Sequence, residues 1–203
     1  MAAPWEEAVE SIAYAISGGW ASGISAYGTV LVIGLMGRSG WLDTPEALQR
    51  TDVLVLVGIL TAVEFVADKV PFIDSLWDSV HTVVRPIVAG VLGLLIAGDA
   101  STLEQALTAS LSGGLALLSH AAKSGIRLAV NTSPEPVSNI GVSAVEDVSL
   151  VSVLLIATEY PWLAAGIALT LLAMGLRLAF WLLKRIRSGW RRLRDRYFSD
   201  VSN

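Results

Sequence analysis

Residues 64–98 read EFVADKVPFIDSLWDSVHTVVRPIVAGVLGLLIAG. The stretch from Glu64 to Arg85 carries seven ionisable side chains: Glu64, Asp68, Lys69, Asp74, Asp78, His81 and Arg85. The 13 residues from Pro86 to Gly98 carry none. At about 1.5 Å per residue they cover about 20 Å, short of a hydrocarbon core about 30 Å thick. To span a bilayer, the helix must recruit the polar residues before it. That predicts one helix from Phe72 to Ala97, with Pro86 inside it and a kink where the proline removes a backbone bond. A charge at the bilayer centre costs about 2.5–3.5 kcal/mol on insertion scales, so these groups need partners.

The composition agrees with a bilayer protein. Of 203 residues, 54% are hydrophobic and 16% charged, against about 25% charged in a soluble domain. The mean hydropathy is +0.63. Cysteine is absent, which excludes disulfides and thiolate metal sites. The N-terminus is acidic at Glu6, Glu7 and Glu10 and lacks the positive start of a cleavable signal, so it is read as part of the mature chain.

Outward from the opening stretch, the pattern predicts an all-α, polytopic membrane bundle of about six spans. Residues 9–37 form the first, with Gly23, Gly28, Gly34 and Gly37 allowing close helix approach. Asp43 or Thr44 caps the next helix, with Pro45 in its first turn. The second span runs from Asp52 to Val70 and the third is Phe72–Ala97. The fourth covers 103–130, a Pro-rich loop covers 131–139, the fifth runs from Ile140 to Thr158 and the sixth covers 161–183. A basic amphipathic tail, 184–203, follows the membrane domain of 1–183. Its Lys184, Arg185, Arg187, Arg191, Arg192, Arg194 and Arg196, interleaved with Trp190, Tyr197 and Phe198, suit anionic lipid headgroups and place the C-terminus in the cytoplasm. Six spans put the N-terminus there too.

Short matches hint at duplication. Ser22-Gly23-Ile24 recurs as Ser124-Gly125-Ile126, Thr61-Ala62-Val63-Glu64 resembles Ser143-Ala144-Val145-Glu146, and Thr44-Pro45-Glu46 resembles Ser133-Pro134-Glu135. The offsets differ. Two three-span repeats, 10–98 and 103–183, would be inverted, as in many transporters.

The ionisable residues fall on helical stripes. Asp74, Asp78, His81 and Arg85 share one face, and Glu64 and Asp68 share another. His120, Lys123, Arg127 and Asn131 make a second, basic stripe, and Glu146 and Asp147 add two carboxylates after the loop. The stripes are expected to converge away from lipid, either around a hydrophilic pathway or as an ion-pair network that fixes packing. Asp74, Asp78 and His81 also form an N/O set acceptable to a divalent metal ion.

Three segments resemble a known family. EFVADKVPFIDSLWDSVHTVVRP (64–86), HAAKSGIRLAVNTSPEPVSN (120–139) and the Glu146-Asp147 pair occur in order, and the Ser22-Gly23 to Ala26-Tyr27 segment resembles a first span. Together they resemble the bacterial integral-membrane family catalogued as domain of unknown function 4126, over about residues 10–180. The resemblance implies a small polytopic inner-membrane protein and no particular activity.

On the residues alone, the leading expectation is a small transporter or channel. Glu64, Asp68, Asp74, Asp78 and His81 would bind a cation, a proton or a cationic group, with Lys123 and Arg127 balancing them or binding an anionic group. A membrane-embedded, metal-assisted enzyme acting on lipid phosphates and a packing or assembly protein are the alternatives. The expected partners are the lipid bilayer, an ion or small solute and other copies of the chain as a homo-oligomer, with no nucleic acid.

Overall fold

The computed structural model describes residues 4–131 and 136–201. Expectations for 132–135, the Ser133-Pro134-Glu135 match among them, and for the side chains of Trp190, Arg192, Arg194, Arg196, Tyr197 and Phe198 lie outside what it describes. The described residues form helices and no strand: α1 (Pro4–Ile24), α2 (Ala26–Arg38), α3 (Glu46–Gln49), α4 (Thr51–Ala67), α5 (Pro71–Ala97), α6 (Thr102–Val130), α7 (Pro136–Glu159) and α8 (Pro161–Val201).

Local chemistry sets these boundaries. α5, α7 and α8 each begin on a proline, where the missing N–H costs nothing. α5 ends at Gly98, whose φ of 54° suits glycine. α6 opens with a capping box: Ser101 Oγ accepts from the Glu104 amide at 3.3 Å, and the Glu104 carboxylate accepts from the Ser101 amide at 3.0 Å. The helix predicted for 72–97 forms as α5, with Pro86 inside. Ahead of α4, Thr44 does not cap a helix. Its Oγ1 accepts from the Gln49 side chain at 3.2 Å, and the four-residue α3 starts without a side-chain cap.

The solvent pattern is inverted relative to a soluble protein. On α5, Leu76 and Val83 are 62% and 63% exposed, while Asp74 and Arg85 are both 0% exposed. Water would reverse that arrangement; hydrocarbon favours it. Among the described residues, three helical segments are long and apolar enough to cross a membrane: Ile73–Ala97, Ile140–Glu159 and Pro161–Gly189. These suggest a membrane protein. α4 is shorter, at 17 residues. α6 carries Lys123 and Arg127 on a buried face, packed against α1, α5, α7 and α8. A central helix does not meet lipid all round, so its own composition need not be apolar.

The first expected span is the clearest correction. It is not one helix. Ser25 adopts an extended conformation, φ −148° and ψ 111°, and the chain reverses there. α1 runs in the same sense as α6, with Gly19 against Ser112 and the Ile24 carbonyl accepting from Lys123. α2 runs in the opposite sense to α4, with Gly28 near Thr61, Leu31 near Gly58 and Gly34 against Leu54. α4 and α6 both run antiparallel to α5: Arg85 pairs with Glu64 and Asp78 meets Ser124, while Gly93 touches Thr108. α1 and α2 are therefore the two arms of a V that enters and leaves on one side, with Ser25 at its tip. The hairpin lies within the expected repeat 10–98, and the continuous α6 begins at the start of the expected repeat 103–183.

Between the hairpin tip and the entry side, packing relies on glycine. A Cβ on Gly19 would sit 2.6 Å from the Ser112 carbonyl oxygen, and one on Gly93 would sit 2.6 Å from that of Thr108. These contacts set the α1–α6 and α5–α6 spacing through backbone against backbone.

Candidate functional site

The two polar stripes meet each other directly. α5 brings Asp74, Asp78 and Arg85 inward, α6 brings His120, Lys123 and Arg127, and the C-terminal end of α4 brings Glu64 and Asp68. All eight side chains are buried. Glu146, on α7, is half-buried at the edge.

Arg85 organises one layer. Its guanidinium donates to Glu64 Oε1 at 2.7 Å, to the Gly23 carbonyl at 3.1 Å and to His120 Nδ1 at 2.5 Å, and lies 3.4 Å from Asp78 Oδ1. An arginine N–H only donates, so His120 Nδ1 accepts and the neutral ring carries its proton on Nε2. That nitrogen lies 3.1 Å from the Asp78 carbonyl and 3.1 Å from Thr82 Oγ1. Ser124 donates to the other Asp78 oxygen at 2.9 Å.

Arg127 organises the second layer. It donates to the Asp68 carbonyl at 2.6 Å, Asp74 Oδ1 at 3.0 Å, Asp68 Oδ2 at 3.2 Å and Glu146 Oε2 at 2.5 Å. Lys123 adds Asp68 Oδ2 at 2.8 Å, and Asn131 donates to Asp74 Oδ2 at 2.9 Å.

The hairpin tip is built into this cluster. The last carbonyls of α1, on Gly23 and Ile24, accept from Arg85 and Lys123. Those carbonyls form the negative end of the α1 dipole, where cations are favoured. Ser25 Oγ caps α2 by accepting from the Gly28 amide at 3.0 Å and donates to Glu64 Oε2. A carboxylate thus sits at the positive end of α2. The break in the helix supplies both polarities at one point.

Sequence reasoning missed Ser25, Ser124, Thr82 and Tyr27. Ser124 follows His120 by one turn, so the stripe itself contains it. Ser25 left only a faint signal, a hydroxyl between Gly23 and Gly28. Tyr27 explains why His81 stands apart: its hydroxyl donates to His81 Nε2 at 3.2 Å, while His81 Nδ1 donates to the Trp77 carbonyl at 2.8 Å and the ring stacks on Trp77. Two further expected residues are also peripheral. Lys69 donates to the Phe65 carbonyl at 2.9 Å and covers the Phe65 ring. Asp147 is half-buried, with Oδ2 lacking a hydrogen-bond partner among the described residues.

The geometry does not assemble the expected Asp74, Asp78 and His81 metal set. Their polar atoms turn to Arg127 and Asn131, to Ser124 and to Tyr27 respectively. Among the described residues, no three His, Cys, Asp or Glu side chains converge as a metal site.

Two pockets flank the cluster. One, of about 260 Å³ between α5 and α6, is lined by Asp74, Asp78, Ser79, Thr82, Ser124 and Arg127. The other, of about 190 Å³ between α2, α4 and α7, is lined by Ser25, Thr61, Glu64, Asp68 and Asp147. Ion pairs form the wall between them. Asp78–Arg85–Glu64 and Arg127–Asp68 each run from one pocket lining to the other.

The family described as Domain of unknown function (DUF4126) matches residues 12–181, a range that holds every residue of the cluster. No curated protein and no solved structure matches the chain.

Proposed function

The chain belongs to the DUF4126 family, and from that premise we propose that it is a small membrane transporter or channel that passes a proton or small cation through the buried cluster. The observation that carries this reading is the broken helix at Ser25. A helix interrupted inside a bilayer exposes backbone that only a polar cavity or protein can satisfy. Here both helix ends meet charged side chains, the arrangement from which midplane ion sites of transporters are built.

The charge balance favours a cationic passenger. Glu64, Asp68, Asp74, Asp78, Glu146 and Asp147 oppose Lys69, Arg85, Lys123 and Arg127, so six acids against four bases leave two negative charges. Arg85 and Arg127 hold carboxylates of both pockets at once. A proton or cation taken up by Asp78 on one side frees Arg85 toward Glu64 on the other, which links occupancy of the two pockets.

The hairpin sets the topology of this reading. With α1 and α2 returning to the entry side, α4, α5, α6, α7 and α8 make five crossings. The N-terminus then lies opposite the C-terminus, not beside it as six spans would require. The chain lacks cysteine, so Ser11→Cys and Ser188→Cys report sidedness cleanly. Labelling of both by a membrane-impermeant thiol reagent from one face would overturn the five-crossing arrangement.

Flux into proteoliposomes tests the function. Proton, sodium and potassium fluxes are measured for the wild type, Asp78→Asn and Glu64→Gln. Flux that collapses in both variants, with helix content and monodispersity kept, is the expected result. Flux unchanged in both removes the cluster from the pathway.

A packing role is the second reading, favoured by the direct 2.5–3.2 Å pairing across the stripes. It expects no flux and a lower unfolding midpoint in the same variants. The lipid-phosphate enzyme reading gains nothing from the geometry, because its three proposed ligands are turned to other partners.

A further inference from the structure

We propose that the cleft between α6, α7 and α8 is a site for an anionic phospholipid, its acyl chain against the apolar walls and its phosphate on Arg177. The cleft has a volume of about 640 Å³, within the range of about 300–1,000 Å³ typical of ligand pockets. Trp20, Ile24, Leu171, Leu172 and Met174 give it an apolar lining, and Lys123, Glu146 and Arg177 are its charged groups.

The charges select the headgroup. The Glu146 carboxylate is held by Arg127 at 2.5 Å, and Lys123 by Asp68 at 2.8 Å. Arg177 is exposed and has no ion pair among the described residues. It is the cation left for an incoming anion. Its depth also fits. Arg177 follows Pro161 by 16 residues, about 24 Å along the helix. In a core of about 30 Å, that lies within reach of the far headgroup layer for a side chain that snorkels.

The same helix continues into exposed Lys184, Arg185, Arg187 and Arg191, with Arg185 over the Trp181 ring at 4.5 Å. That run attracts an anionic surface. A free anion would have no use for the apolar wall, and a neutral lipid none for Arg177. A phospholipid with a net negative headgroup uses both. Lys123 and Glu146, 3.8 Å apart, link the cleft to the charge cluster.

The test is lipid retention, a readout separate from flux. Full-length protein is purified from nanodiscs of phosphatidylcholine and phosphatidylglycerol, and retained lipids are weighed by native mass spectrometry. Phosphatidylglycerol is expected to be retained in preference, and Arg177→Gln to weaken that preference about fivefold. Ser149→Phe, which fills the cleft, is expected to abolish retention of either lipid. Leu171→Trp on the opposite wall replaces it if Ser149→Phe is not monodisperse. Retention unchanged in the Arg177 and cleft-filling variants overturns the proposal. So does a preference lost only in the Lys184→Gln, Arg187→Gln, Arg191→Gln triple variant, which would place the lipid on the tail.

Discussion

Near Gly93 and Thr108 the backbones of α5 and α6 touch, while near Asp74 and Asn131, about five turns away, the same helices are joined through long polar side chains. Both ends address one problem. In a bilayer there is little hydrophobic gain in bringing helices together, so contact must come from dispersion or from polar bonds. The glycine end sets a distance and tolerates sliding. The charged end sets a register, because each Arg or Lys must meet its own carboxylate and carbonyl. The α1 hairpin uses both in turn, glycine along its arm and ion pairs at its tip.

That contrast breaks most sharply at Arg127. Replacing it by methionine leaves Asp68, Asp74 and Glu146 without their shared cation. Loss of one member of a buried pair costs about 3–5 kcal/mol, and unfolding in mixed micelles should show a drop of that order. Adding Asp74→Asn and Glu146→Gln should recover part of it. An additive triple variant would mean that the network is not coupled.

At the other end the expected cost is steric. Gly19→Val pushes a side chain into the Ser112 backbone, and overpacking of this kind costs about 1–3 kcal/mol. Gly114, with nothing within 4 Å of its added Cβ, is the control. Gly114→Ala should be neutral or gain up to about 1 kcal/mol. The same unfolding assay compares the two, and equal effects would dismiss the seam.

The hairpin tip joins the regions and should show an intermediate loss. Ser25→Ala removes a helix cap, which costs about 1 kcal/mol, and one bond to Glu64. Ser25→Thr keeps the hydroxyl and should restore most of the difference. The smallest effect belongs to the exposed Arg50–Asp52 pair, at 2.6 Å. Arg50→Gln should leave the unfolding midpoint unchanged, since solvent already screens that pair.

Much of the charged end was legible in the sequence because ionisable residues are rare in apolar helices and their spacing gives their face. Asp74, Asp78 and Arg85 are read directly, as are His120, Lys123 and Arg127. The shortness of the apolar run after Pro86 located the start of α5. The hairpin was less visible. Its reversal depends on one extended residue, and both arms are apolar and rich in small residues, so composition does not tell passage from return. Length held a clue: 29 residues from 9 to 37 would make a helix of about 44 Å, longer than the core requires. The exclusion of His81 was not legible. Its spacing matches the stripe, and only the tertiary approach of Tyr27 gives it another partner.

Ser25 has a further consequence, for the order of assembly during synthesis. The hairpin emerges before Glu64, Arg85 and Lys123, which satisfy its tip and are made later on α4, α5 and α6. Until they arrive, the broken backbone has no polar lining at that depth. The hairpin thus precedes α4, α5 and α6 in the chain but is seated only once they are made. Nascent chains halted after α4 and after α6 should differ in this respect: a cysteine at Ser25 should be open to an aqueous thiol reagent in the shorter chain and protected in the longer one.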